Sequence, residues 1–215
     1  SLAPLLRQHG VRAPDWIVVP GTQRDYAGGA AATAARWPKA KTWSSRAERA
    51  GRCSAGRAWE ADGVRYAFLH PGAALPDLGT DSACVLEVRS AAGSVLLPGS
   101  IGRNVLRRLI LQGLARPVDA LMLPAAGHRR ALETNWLAAL QPDIALASVR
   151  PHHPRGLPHR EVRAALERLN IPLATTAACG AIGLRFRIDR PPQWLFERHR
   201  SRRFWYATAE CPRQR

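Results

Sequence analysis

Between residues 94 and 175 short apolar runs alternate with amphipathic stretches, and this rhythm constrains the fold more than any other feature. Apolar runs fall at 94–97, 120–123, 144–147 and 172–175, and helical patterns at 99–114, 133–140 and 160–169. In the first of those helices Val105, Leu106, Leu109 and Ile110 recur at core spacing. Strands separated by helices of this length pair in parallel and carry the helices on the faces of the sheet. The pattern predicts an α/β sandwich and excludes a helical bundle.

The remaining elements extend that sandwich. A helix is expected over 2–9, a strand over 16–19 closed by Pro20 and Gly21, and an Ala-rich helix opened by Gly28 and Gly29 and stopped near Trp37 and Pro38. The stretch 41–63 is mixed and polar, with a strand around Trp59, and a clear strand follows at 64–69. A loop over 71–81 leads to strands at 84–88 and 94–97, joined as a hairpin by Ala-Ala-Gly. The last strands are expected at 181–188 and 193–196, and a basic tail occupies 198–215 with aromatics at Phe204, Trp205 and Tyr206. Neither an internal repeat nor a linker divides the chain, so 1–215 reads as a single domain. A chain of 215 residues buries about 70% of its unfolded surface. No run approaches eighteen apolar residues, no leader-like segment opens the chain, and Ser1 in place of an initiator Met suggests a piece of a longer protein.

Charge narrows the partner. With 32 basic against 16 acidic residues the net charge is +16, which points to a polyanion. All the bases except Lys39 and Lys41 are Arg, a preference that GC-rich coding also produces; the excess over acids has no such explanation. Cys53, Cys84, Cys179 and Cys211 lie far apart without a CxxC pair, which excludes a zinc ribbon. Their even number permits disulfides in an oxidising compartment, but they read first as small buried thiols.

Seven segments carry a resemblance: WEADGVRYAFLHP (59–71), DSACVLEV (81–88), LLPGSIG (96–102), DALMLPAAG (119–127), LQPDIALAS (140–148), GLPHREV (156–162) and TTAACGAIGLRF (175–186). In this order and spacing they resemble the C-terminal metallo-β-lactamase-like domain of ComEC-type competence proteins, inner-membrane channels of DNA uptake. The resemblance implies an αββα sandwich, here with the N-terminal strands missing, and a site for two divalent metals such as Zn or Mn. Such a metal pair bridges a phosphodiester and activates a water.

The motifs that hold those metals are altered in this chain. The HxDxDHxGG pattern falls on Gly21, Gln23, Asp25, Tyr26, Gly28 and Gly29, leaving only Asp25 and the glycines. The bridging carboxylate becomes Ser100, the paired histidines of PHHGS become Ala125 and Ala126, and the histidine of GHP becomes Leu157. We therefore expect no metal and no other cofactor, with Asp25 and Ser100 as remnants. Asp25 also stands where an N-cap is expected, and Ser100 has no base in sequence reach. A rearranged metal site built from His128, Asp25, His152, His153 and His159 is the enzymatic alternative.

Bases cluster in the loops that would have held metals: Arg24, His128, Arg129, Arg130, Arg150, His152, His153 and Arg155. They form the expected nucleic-acid-binding set, since cations in a cleft grip a phosphate backbone without cutting it. Together with these cations, the resemblance implies DNA binding during uptake, on the periplasmic side of the inner membrane and beside the channel portion of the same protein. A purely structural domain packed on that channel is the second alternative. In the tail, Arg185, Arg187, Arg190, Arg198, Arg200, Arg202 and Arg203 interleave with Phe186, Trp194 and Phe196, and alternation over 185–188 turns half of these aromatics toward the core.

Overall fold

The computed structural model describes residues 2–46, 51–201 and 211–212. Three short elements open the chain: α1 (Leu2–Gln8), β1 (Trp16–Val19) and α2 (Arg24–Ala27). Then come α3 (Ala30–Arg36), β2 (Lys41–Ser44), β3 (Gly51–Arg52), β4 (Ala58–Ala61) and β5 (Val64–His70). The hairpin β6 (Val85–Ser90) and β7 (Gly93–Leu97) precedes α4 (Arg103–Leu111), β8 (Ala120–Met122), α5 (Thr134–Leu140), β9 (Ile144–Ala147), α6 (Arg160–Arg168) and β10 (Leu173–Thr175). The chain closes with α7 (Thr176–Cys179), β11 (Ile182–Arg187), β12 (Arg190–Phe196) and α8 (Glu197–Arg200).

Strands β4 to β10 form one seven-stranded sheet in sequential order, antiparallel from β4 to β7 and parallel from β7 to β10. Its two faces are separated by the period-2 alternation of the strands. Leu69, Val85, Leu96, Leu121, Ala145 and Ala147 point to one side and join the buried faces of α4, α5 and α6, including Leu106, Trp136 and Leu166. On the opposite side, Ala120, Ile144, Leu146 and Ala174 pack under the β11–β12 hairpin through Ile182, Leu184, Phe186 and Trp194. Residues 144–147 are all buried, as an interior parallel strand covered on both faces requires.

The rest of that second face meets the parallel sheet β1–β2–β3. Between them lies an aromatic layer in which Trp59 stacks on Tyr66 at 5.2 Å and touches Trp16, Trp43 and Phe68 at 5.9, 6.0 and 5.4 Å. Arg57 caps it, its guanidinium 4.5 Å from the Trp43 ring centre. A disulfide from Cys53 to Cys84 crosses the same interface, and Cys84 N–H donates to Pro20 O at 2.7 Å. A second disulfide joins Cys179 to Cys211, returning the chain to α7.

These bridges correct the reading of the four cysteines as free thiols. Their Cα atoms, 6.0 and 5.5 Å apart, meet only through long-range folding, which residue spacing does not reveal. The mixed stretch 41–63 likewise contains β2 and β3, which were not anticipated; four and two residues long, they owe their strand state to parallel pairing, β2 with β1 and β3 with β2. The 185–188 expectation holds, with Phe186 partly buried between exposed Arg185 and Arg187. Arg202, Arg203, Phe204, Trp205 and Tyr206 lie outside the described residues. Among the described residues no helix is long and apolar enough to cross a membrane.

Several polar groups at the joints are paired. Asp119 Oδ2 accepts from both the N–H and the hydroxyl of Ser94 at 2.7 Å, fixing β8 against β7. Buried Glu87 is held between Arg89 and Arg116 at 3.2 and 3.1 Å. His70 donates from Nε2 to Asp81 O at 2.7 Å, and burial holds its pKa below the usual imidazole range. Asp81 in turn accepts from Gly102 N–H at 2.7 Å, anchoring the start of α4.

Candidate functional site

Several strands end at one rim of the sandwich, where α/β sheets place their ligands. Beyond β1 comes Gln23 with α2; beyond β7, Ser100; beyond β8, the turn 124–127; and beyond β9, Ser148 and the loop to α6. Together they enclose a cleft of about 660 Å³ lined by Gln23, Asp25, Tyr26, Thr80, Ser100, Ala125, Ala126, His128, Arg130, Ser148, His153, Arg155 and Leu157, among others.

The turn after β8 has an unusual backbone. Ala125, Ala126 and Gly127 all have positive φ, at 48°, 54° and 77°. For an alanine this left-handed conformation costs about 1–2 kcal/mol. Hydrogen bonds impose it: Ala125 N–H donates to Gly99 O at 2.8 Å, His128 N–H to Ala125 O at 3.1 Å, and His159 N–H to Gly127 O at 2.9 Å. Gly127 is obligatory as well as twisted, because a Cβ there would sit 2.6 Å from Pro158 Cβ. Ala126 packs its methyl group against the main core, whereas Ala125 joins no hydrophobic cluster among the described residues, so Ala125→Gly is expected to raise stability by about 1 kcal/mol in urea unfolding. An unchanged or lower midpoint would show that the turn carries no such strain.

The histidines of the site act as turn caps. His128 Nδ1 accepts from Arg130 N–H at 3.2 Å, His153 Nδ1 from Arg155 N–H at 3.2 Å, and His159 Nδ1 from Glu161 N–H at 3.3 Å. An imidazole that accepts at Nδ1 carries its proton on Nε2 when neutral. That tautomer donates hydrogen bonds and cannot ligate a metal through Nε2, whereas a ligating histidine donates from its other nitrogen. Burial, with help from Arg130, Arg155 and His159, lowers the His128 pKa below the usual imidazole range.

The other donors do not make up the deficit. Ser100 is 4% exposed, and its hydroxyl lies 3.2 Å from Gln23 Oε1 and 3.4 Å from Thr80 O, both acceptors, with no imidazole hydrogen-bonded to it among the described residues. Asp25 lines the cleft and, after burial, is the second cause of a raised Tyr26 pKa. Asp25 is not a cap: Gln23 precedes α2 and Gly29 precedes α3, neither with a side-chain cap bond. Among the described residues no three His, Cys, Asp or Glu side chains converge on a point that a metal ion could fill. The donor set does not fit the two-metal centre that the resemblance implies, nor the rearranged site of His128, Asp25, His152, His153 and His159.

The expected nucleic-acid-binding set divides in two. His128, Arg130, His153 and Arg155 line the cleft; Arg24, Arg129, Arg150 and His152 are not part of its wall. Arg129 is paired with Glu161 at 3.0 Å. Arg130 is partly committed, donating to Thr80 Oγ1 at 2.9 Å and Ser100 O at 3.1 Å. Gln23 and Tyr26, which the sequence placed on altered ligand positions, also line the cleft; Thr80 and Ser148 were missed, because nothing in their spacing marks them before the loops converge.

No protein-family model matches the chain. It is 24% identical over 196 residues to Recombination protein 2 of Haemophilus influenzae, an alignment that covers 88% of this chain and 24% of that protein. The chain thus spans about a quarter of the length of the curated relative. Among solved structures, it is similar to a Parabacteroides distasonis protein named as a metal-dependent hydrolase (TM-score 0.53, 12% identity, 77% of each chain). It is also similar to the metallo-β-lactamase fold protein YhfI of Bacillus subtilis (TM-score 0.50, 14% identity, 80% of each chain). The chain has the metallo-β-lactamase fold.

Proposed function

We propose that this chain is a metallo-β-lactamase-fold domain that grips DNA in its cleft without cutting it, and that it serves a competence protein during DNA uptake. The observation that carries the reading is the cleft itself: imidazoles that cap turns through Nδ1 and so present Nε2–H donors, flanked by Arg130 and Arg155, where a hydrolase of this fold needs metal ligands. Donors and cations of this kind bind phosphodiester oxygens electrostatically. The net charge of +16 supports a polyanionic ligand. The name of the Haemophilus relative, a recombination protein, supports a role with DNA.

Two disulfides support a location in an oxidising compartment, such as the periplasmic side of the inner membrane. There the partner would be the channel portion of the same protein. The experiment that tests the function combines binding and scission: a labelled oligonucleotide is titrated with the chain in Mn²⁺, Mg²⁺ or Zn²⁺, and retention and strand length are read from the same samples.

A further inference from the structure

A second cavity of about 580 Å³ lies at the other end of β1, between residues 13–16 and 36–41. Trp16 begins β1 and faces Lys41 in the parallel register with β2, so this cavity opens at the strand starts, whereas the cleft opens at their ends. Four strand residues at about 3.3 Å each put about 13 Å of sheet between the two.

The lining is chemically specific. It holds Arg36, Lys39 and Lys41, the last two being the only lysines in the sequence, together with Trp16 and Trp37. Asp15 is the one carboxylate in the lining, and no ion pair joins it to these cations among the described residues. The Trp37 indole N–H donates to Arg12 O at 3.3 Å, and the Arg36 guanidinium lies 5.6 Å from its ring centre, so the ring is fixed within the wall. A tryptophan serving a membrane interface keeps its N–H for the headgroup region; this one has spent it on the chain. A concavity of this size suits a small ligand with an aromatic part.

We propose that this cavity is a second nucleic-acid contact, taking one nucleotide unit of a single strand with its base against Trp37, since the Trp16 ring packs on Trp59 and Tyr66, and its phosphate among Arg36, Lys39 and Lys41. Stacking on aromatic rings beside a basic track is how sequence-tolerant single-strand binders work. The site stands independently of the cleft and holds whether or not the cleft grips DNA.

The test uses a dT tetramer and the chain carrying His153→Ala and Arg155→Ala, so that residual binding reports the second cavity. The tetramer is expected to bind this chain and quench its tryptophan fluorescence. Adding Lys39→Gln and Lys41→Gln should weaken binding about twentyfold at 0.1 M salt and reduce the log–log salt slope by about 1.4, with unfolding unchanged. Tetramer affinity insensitive to the lysine changes overturns the proposal. So does lysine-dependent sedimentation with phosphatidylglycerol vesicles in the absence of tetramer binding, which assigns the cavity to a lipid surface.

Discussion

Replacing Cys53 and Cys84 together by alanine is expected to cost about 4 kcal/mol of stability, the largest effect of any change considered. The bridge closes a loop of 31 residues in sequence separation, for which the chain-entropy model gives about this value. Its position adds to the effect. The three-stranded sheet contains strands of four, four and two residues, too short to stand alone, and it is held to the large sheet by the aromatic layer, the Cys84–Pro20 hydrogen bond and this disulfide. Without the bridge β3 has little to secure it, and the Trp43–Trp59–Phe68 packing above Cys53 loosens. Urea unfolding followed by tryptophan fluorescence measures the loss. A destabilisation below about 1 kcal/mol would mean that the aromatic layer alone holds the two sheets together.

DNA binding is expected to weaken steeply with salt. If about five phosphates are contacted, log K falls with log salt at a slope near −4, so a rise from 50 to 200 mM salt weakens binding by a few hundredfold. Because His128 and His153 accept backbone N–H groups at Nδ1, most of that slope is assigned to arginines, of which Arg155 makes no side-chain hydrogen bond or ion pair among the described residues while Arg130 braces Thr80 and Ser100. Arg155→Ala should therefore reduce the slope by about 1 and leave unfolding unchanged, whereas Arg130→Ala should also lower stability. Filter binding across a salt series reads both. A flat response, or equal binding of an uncharged polymer, contradicts an electrostatic grip on the backbone.

Much of the fold is legible in residue order because periodicity reports burial. Ile144 to Ala147 is uninterrupted and proves to be an interior strand buried on both faces, while Val105, Leu106 and Leu109 mark the face that α4 buries. Elements whose state depends on distant partners are not legible in this way. Lys41 to Ser44 has neither an apolar run nor a turn signal that separates it from a loop, and only its register with Trp16 to Val19 makes it a strand. Four cysteines allow three pairings, and which one forms is decided by where β6 and α7 lie.

The site was half legible for a related reason. Substitutions at Ser100, Ala125, Ala126 and Leu157 are visible as missing ligands, and their clustering at one cleft follows from the fold. The tautomers of His128, His153 and His159 are not visible, because each is set by a backbone N–H two residues on. The left-handed backbone at Ala125 and Ala126 is likewise hidden, since alanine gives no local reason to expect it.

The claim that the cleft holds DNA without metal-assisted scission is tested most directly by reading binding and strand integrity together. With an end-labelled oligonucleotide and the purified chain in Mn²⁺, Mg²⁺ or Zn²⁺, the label should be retained by the protein and every strand should stay full length, with the same affinity after chelator is added. Metal-dependent shortening of the bound strand that disappears in Asp25→Ala would contradict the account, because it would require the cleft donors to assemble around a metal after all.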